Sequence, residues 1–161
     1  MDLNKSNLLN LLFFFISILA LLIVYYLEFF QDIAPCKLCI YQRLPYFIII
    51  LLAISFLLIK NKNLKKITFL FYILIFTSSL IMSVYHFGIE KNLWNASVSC
   101  ETNLKSFSNI DNLKEYLLNK DYVSCSEISF KFLGISLAGY NIILSFLLLI
   151  LSITGFRKLA N

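Results

Sequence analysis

The chain of 161 residues contains two prolines, four glycines and one histidine, and only 14% of it is charged. Each scarcity rules something out. So few prolines and glycines leave little room for flexible linkers, and a single domain over residues 1–161 is expected. A composition 60% hydrophobic, with mean hydropathy +0.81, is not that of a water-soluble domain. One histidine would leave a haem short of a second axial ligand. There is no internal repeat and no low-complexity segment beyond the apolar runs.

Those runs are Leu8–Leu27, Leu44–Ile59, Ile67–Tyr85 and Leu133–Ile153. The first, third and fourth approach the roughly 20 residues that cross a hydrocarbon core. The second is short and needs its flanks or a locally thinned bilayer. The expected fold is all-α, a four-transmembrane-helix bundle with polar connections at about 28–43 and 86–132. The longer connection contains Ser108–Asn119, where Ile110, Leu113 and Leu117 recur at helical spacing beside Tyr116. That pattern predicts a short amphipathic helix lying on the membrane surface. Lys5 ahead of the first run imitates a signal peptide, but the run is too long and no small-x-small cleavage site follows. Lipidation at Cys36 is disfavoured by Pro35 just before it and Asp32 nearby, so this segment is expected to be retained as the first span.

Charge sets the orientation. Four spans put both termini on one side, together with the loop Lys60-Asn61-Lys62-Asn63-Leu64-Lys65-Lys66. That side holds Lys5, Lys60, Lys62, Lys65, Lys66, Arg157 and Lys158 against the single acid Asp2. Basic residues collect on the cytoplasmic side, so the termini and this loop are expected to be cytoplasmic. The net charge of +5 is therefore a topology signal, and no nucleic-acid partner is expected. All four cysteines, Cys36, Cys39, Cys100 and Cys125, then fall on the other side, where an oxidising compartment preserves disulfides. Their even number suits two pairs.

Pro35-Cys36-Lys37-Leu38-Cys39-Ile40-Tyr41-Gln42-Arg43 places one of those pairs at the edge of the membrane. Cysteines three apart on a helix are neighbours at a separation that a disulfide can bridge. Pro35 suits the first turn of a helix running into the second span. Thiols in that turn meet the positive helix end, with Lys37 adding charge, so at least one pKa should be depressed. A dithiol there could pass electrons to an acceptor dissolved in lipid. A mere structural staple would close a very short loop and stabilise little. Zinc needs a second paired cluster or histidines at short spacing, whereas the other cysteines are 25 apart and the histidine is distant in sequence.

Arg43 lies four residues beyond Cys39 and shares its helix face. A guanidinium within hydrocarbon costs about 3 kcal/mol at the centre and less near the interface. One reading is a snorkelling anchor; the spacing favours a cation that steadies a thiolate and polarises a carbonyl. Cys100 and Cys125 bracket the one large hydrophilic segment, His86–Lys131. A bond between them would brace that loop or, being exposed, would be open to exchange. His86, in Tyr85-His86-Phe87-Gly88-Ile89-Glu90, reads either as a hydrogen-bonded structural residue or as a polar contact to a quinone carbonyl. Trp94 and the tyrosines fit an interfacial aromatic belt. Gly134, Ala138 and Gly139, with Ser78, Ser79 and Ser83, are read as packing residues. Glu28 and Asp32 are read as interfacial and solvated. Asn95-Ala96-Ser97 fits a glycosylation pattern that nothing else supports.

Taken together, the motif Pro35–Arg43 resembles the signature of the DsbB family of bacterial inner-membrane thiol oxidases. Tyr85–Glu90 resembles its third-span motif, and Cys125-Ser126-Glu127 with Phe132-Leu133-Gly134 resembles the approach to its fourth span. Four spans and the order of the cysteine pairs extend the likeness over nearly the whole chain; Glu101–Asn119 departs from the family pattern. Vitamin K epoxide reductase relatives carry the two pairs in the reverse order. The resemblance implies a protein-dithiol:quinone oxidoreductase that re-oxidises a DsbA-type periplasmic thioredoxin-fold protein and delivers electrons to the membrane quinone pool, ubiquinone or menaquinone. It implies that Cys100–Cys125 is attacked by the partner and then re-oxidised by Cys36–Cys39. Cys39 then passes the electrons on, with Arg43 and His86 at the quinone and neither metal nor haem involved. It further implies a multi-pass protein of the bacterial inner membrane with cytoplasmic termini and periplasmic cysteines. Two other readings stay open: a non-catalytic tetraspan subunit braced by disulfides, and a thiol reductase running the relay in reverse, since direction depends on relative potentials.

Overall fold

The computed structural model describes residues 2–95, 124–126 and 130–160. Among them four helices are long and apolar enough to cross a bilayer: Lys5–Phe30, Lys37–Leu58, Lys62–Glu90 and Leu137–Leu159. The elements are α1 (Asp2–Phe30), α2 (Lys37–Tyr41), α3 (Leu44–Leu58), α4 (Lys62–Glu90), β1 (Lys131–Phe132), β2 (Ile135–Ser136) and α5 (Leu137–Ala160).

The short second run gains its missing length from α2. Cys36 is the N-cap of α2, its sulfur accepting the Cys39 backbone N–H at 3.2 Å. Pro35 therefore stands just outside the helix rather than in its first turn. Pro45, in the first turn of α3, is the proline that starts a helix. Having no N–H, it cannot carry the ladder of α2 onward, and the chain turns at Gln42 and Arg43 before resuming.

At the other end of the bundle Asn61 caps α4, its side chain accepting the Asn63 N–H at 2.9 Å. The outer end of α4 closes back on itself. Trp94 donates from Nε1 to the Tyr85 carbonyl at 2.8 Å and stacks on the Tyr85 ring. Its indole occupies the space over Gly88, where a Cβ would lie 1.9 Å from the ring. Trp94 thus also caps the helix, besides facing outward as a belt residue would.

The fourth apolar run does not start as helix. β1 and β2 pair antiparallel, Lys131 with Ser136 and Phe132 with Ile135. The two turn residues, Leu133 and Gly134, have φ of 49° and 82°, the left-handed pair a tight hairpin needs. Gly134 is accordingly a turn residue, not the packing residue its composition suggests, and a Cβ there would meet nothing within 4 Å.

α4 packs chiefly on α5, and α1 on α3; the two pairs meet through α1–α5 and α3–α4. Lipid gives helices little hydrophobic reason to associate, so close approach and polar contacts matter most. Phe13, Phe69, Tyr72 and Phe76 form an aromatic core, with Phe13–Tyr72 and Phe13–Phe76 edge to face at 5.1 and 5.4 Å. Asn10 stitches three helices, donating to the Ala53 carbonyl at 3.1 Å and accepting from the Tyr72 hydroxyl at 2.6 Å. Ser79 and Ser145 hydrogen-bond across the α4–α5 seam at 2.9 Å, while Ser78 is exposed and bonds only within its own helix.

Candidate redox site and its cleft

The capped first turn of α2 brings the Cys36 and Cys39 sulfurs to 2.7 Å, Cys36 donating to Cys39. Cys125, ahead of the hairpin, packs into the same buried cluster with Leu38 and Ile89 and hydrogen-bonds Cys36. Hydrogen bonds to Cys125 and Cys39, with burial, push the Cys36 thiol well up from its ordinary range. Its own proton is the one those thiols accept, so the rise falls on this sulfur. Cys100, the stretch Glu101–Asn119 and the surface helix expected over Ser108–Asn119 lie outside the described residues.

His86 reaches this cluster from α4. Its Nε2 is 3.4 Å from Cys36 Sγ and 3.8 Å from Glu90 Oε1. Distance along the chain had separated the histidine from the thiols; packing of α4 on α2 removes that separation. The ligand atoms of Cys36, Cys39 and His86 all lie within 4.8 Å of one another, a donor set of the kind zinc accepts. The Glu90 carboxylate is in turn held by the Ser136 hydroxyl, whose oxygen also accepts the Gly139 N–H at 3.3 Å.

A line of buried polar groups runs inward from His86. Gln42 Nε2 meets His86 Nδ1 at 3.1 Å, and Asn141 Nδ2 donates to Gln42 Oε1 at 3.1 Å and to Ser83 Oγ at 2.7 Å. Asn141 Oδ1 accepts from Tyr46 at 2.5 Å and from Ser145 at 3.4 Å. α3, α4 and α5 are joined through this single amide.

Beside the thiols lies a cleft of about 190 Å³ between α1, the α2–α3 turn and the start of α5. Leu21, Val24, Leu27, Ile33 and Leu144 make its walls apolar, and Cys39, Gln42, Arg43, Tyr46 and Asn141 also line it. Cys39 and Arg43, four apart, both line it, so shared helical phase survives the turn between them. His86 is absent from the lining; α4 stands behind Cys36, away from the cleft. Glu28 is not simply solvated. Its Oε2 pairs with Arg43 Nη1 at 2.5 Å, both side chains are largely covered, and the guanidinium sits 4.8 Å from the Tyr25 ring centre.

Cys39 of a thiol pair lines an apolar cleft in a bundle of four spans. The family described as disulfide bond formation protein DsbB matches residues 6–155. The chain belongs to the DsbB family. It is a membrane protein of disulfide-bond formation, with thiol oxidation as its general activity. In sequence the chain is similar to the uncharacterized protein RP370 of Rickettsia prowazekii (strain Madrid E), 32% identical over 149 residues, covering 91% of this chain and 86% of that protein. No solved structure matches this chain.

Gln42, Tyr46 and Asn141 are the residues of this candidate site that motif reading passed over, and Glu28 is one it read as solvated. Asn141 had a signal: an amide inside an apolar span is costly to leave unpaired and points to an interior partner. Gln42 stood within the quoted motif without a role, and nothing in its spacing pointed to a histidine in another helix.

Proposed function

We propose that this chain oxidises the dithiol of a DsbA-type periplasmic thioredoxin-fold protein and delivers the electrons to a membrane quinone. The observation that carries the reading is the position of Cys39, which touches the buried thiol cluster on one side and lines the apolar cleft on the other. The partner's thiolate attacks the Cys100–Cys125 disulfide, and its second thiol resolves the mixed disulfide, leaving Cys100 and Cys125 reduced. Cys125, already packed on Cys36, attacks that sulfur, and Cys39 leaves as a thiolate. Cys100 then attacks Cys125, restoring their disulfide and releasing Cys36. With a quinone held in the cleft beside Arg43, a two-electron, two-proton sink would be available, and Cys36 and Cys39 would return to disulfide.

The cleft suits such a ring: apolar walls for the ring and tail, with Arg43 and the remaining N–H of Gln42 as donors for its oxygens. Arg43 would hold it beside Cys39, where a cation also favours thiolate. His86 would serve the Cys36 sulfur, which it touches, in place of the direct quinone contact implied by the family. In this reading the protein spans the bacterial inner membrane with cytoplasmic termini and its cysteines facing the periplasm, as the distribution of lysines supports. The test is anaerobic: protein containing quinone is mixed with reduced DsbA-type partner and quinol is followed. Stoichiometric quinol is expected, and none from Cys39→Ser; a wild-type protein that yields no quinol, or an active Cys39→Ser, would end this reading.

A further inference from the structure

The buried polar line behind the thiols has a direction, and that direction is set at a backbone carbonyl. Ser83 donates its only hydroxyl proton to the Ser79 carbonyl at 2.7 Å, so its oxygen must accept from Asn141. Asn141 therefore presents its NH2 to Ser83 and Gln42, and its carbonyl to Tyr46 and Ser145. With its own carbonyl taken by Asn141, Gln42 presents its NH2 to His86 Nδ1. An amide NH2 can only donate, so Nδ1 is the bare nitrogen and the ring proton sits on Nε2, facing Cys36 Sγ at 3.4 Å.

We propose that Asn141 and Gln42 are positioning residues that hold His86 as its Nε2–H tautomer, and that this N–H steadies the Cys36 sulfur as it takes up charge in disulfide exchange. The proposal rests on the relay above and deepens it. In the step concerned, the Cys36–Cys125 bond breaks as Cys100 bonds Cys125. The electron pair of the broken bond stays on Cys36, which the His86 N–H faces; the proton released by Cys100 finally comes to rest there. No external oxidant enters this step. The titratable groups around the Cys36 sulfur are Cys39 on α2, His86 and Glu90 on α4, and Cys125 ahead of the hairpin, with exposed Lys37 next in sequence. Only His86 among them offers a nitrogen-bound proton from a side chain buried beside that sulfur. Gln42 and Asn141 also line the cleft, so the amides behind His86 border the cleft as well.

The chain has a single histidine, so 15N-histidine labelling gives one imidazole whose two nitrogen shifts read the tautomer directly, without turnover. The wild type is expected to show a protonated Nε2 and a bare Nδ1. Gln42→Glu, which replaces the donor by an acceptor, is expected to move a proton to Nδ1, and Asn141→Leu to give a mixture. A wild type protonated on Nδ1, or a tautomer unmoved in both variants, would overturn the proposal. The second readout is alkylation of Cys36 against pH in protein whose other three cysteines are serine. His86→Phe is expected to slow it about tenfold at pH 7, one pKa unit upward. Asn141→Leu should act in the same direction alone and add nothing once His86 is Phe. If it adds its full effect there, Asn141 acts on structure and the proposal fails, while the relay itself stands or falls on quinol formation.

Discussion

Arg43 holds its charge between the Glu28 carboxylate and the face of Tyr25 while its side chain lines the cleft beside Cys39. A planar guanidinium suits this place because it can stack, pair and still present N–H groups to a third partner; a lysine ammonium is a single point charge. Arg43→Lys is therefore expected to raise the quinone KM roughly tenfold, a loss of about 1.4 kcal/mol, with the KM for the dithiol partner unchanged. Equal quinone KM values in the two proteins would mean that this arginine only anchors the helix. At this scale the motif was legible where spacing alone decides: three residues bring Cys36 to Cys39, and four more put Arg43 on the same face. The partners of those groups were not legible. Nothing along the chain announces that Glu28 turns in to Arg43, or that Gln42 meets the ring of His86.

Among the elements, the α4–α5 seam depends on a missing side chain. A Cβ on Gly155 would lie 2.2 Å from the Phe69 ring, and that ring is fixed by Phe56 and Tyr72 at 5.7 and 5.6 Å. The ring cannot step aside, so Gly155→Ala should separate the helices or distort the core, at about 1–3 kcal/mol. Thermal unfolding in detergent is expected to show the lowered midpoint, with Phe69→Leu recovering part of it in the double variant. An unchanged midpoint would show that the aromatic cluster has slack. Helix ends were harder to read than helices. The apolar run from Leu44 hid the fact that the second span starts at Lys37, because α2 is polar on its surface and joins α3 through a turn that Pro45 imposes. Leu133 and Gly134 looked like the start of a span, but the hairpin's left-handed turn claims both.

For the whole molecule, orientation is an electrostatic matter carried by a few lysines. Lys65 also serves packing, since it is buried, its Nζ donates to Asn7 at 3.0 Å, and it sits 4.8 Å from the Phe56 ring centre. Lys60, Lys62 and Lys66 can be neutralised without touching that contact. A reporter at the exposed Asn63, Asn63→Cys, is expected to escape an impermeant maleimide in intact cells and react only after lysis. Adding Lys60→Gln, Lys62→Gln and Lys66→Gln is expected to let a fraction react from outside. Labelling of Asn63→Cys in intact cells without those changes would overturn the proposed orientation. The sequence by itself determined that the protein is a four-span bundle, that one turn of helix brings Cys36 to Cys39, and that Arg43 shares the face of Cys39. These follow from local quantities, namely apolar length and helical period. Only the tertiary structure decided that His86 meets Cys36 from 50 residues away and that Asn141 meets Gln42 from 99. Hydropathy says that a helix lies in lipid but not which neighbour it faces; in a medium without water to drive association, the choice is made by small residues and buried hydrogen bonds.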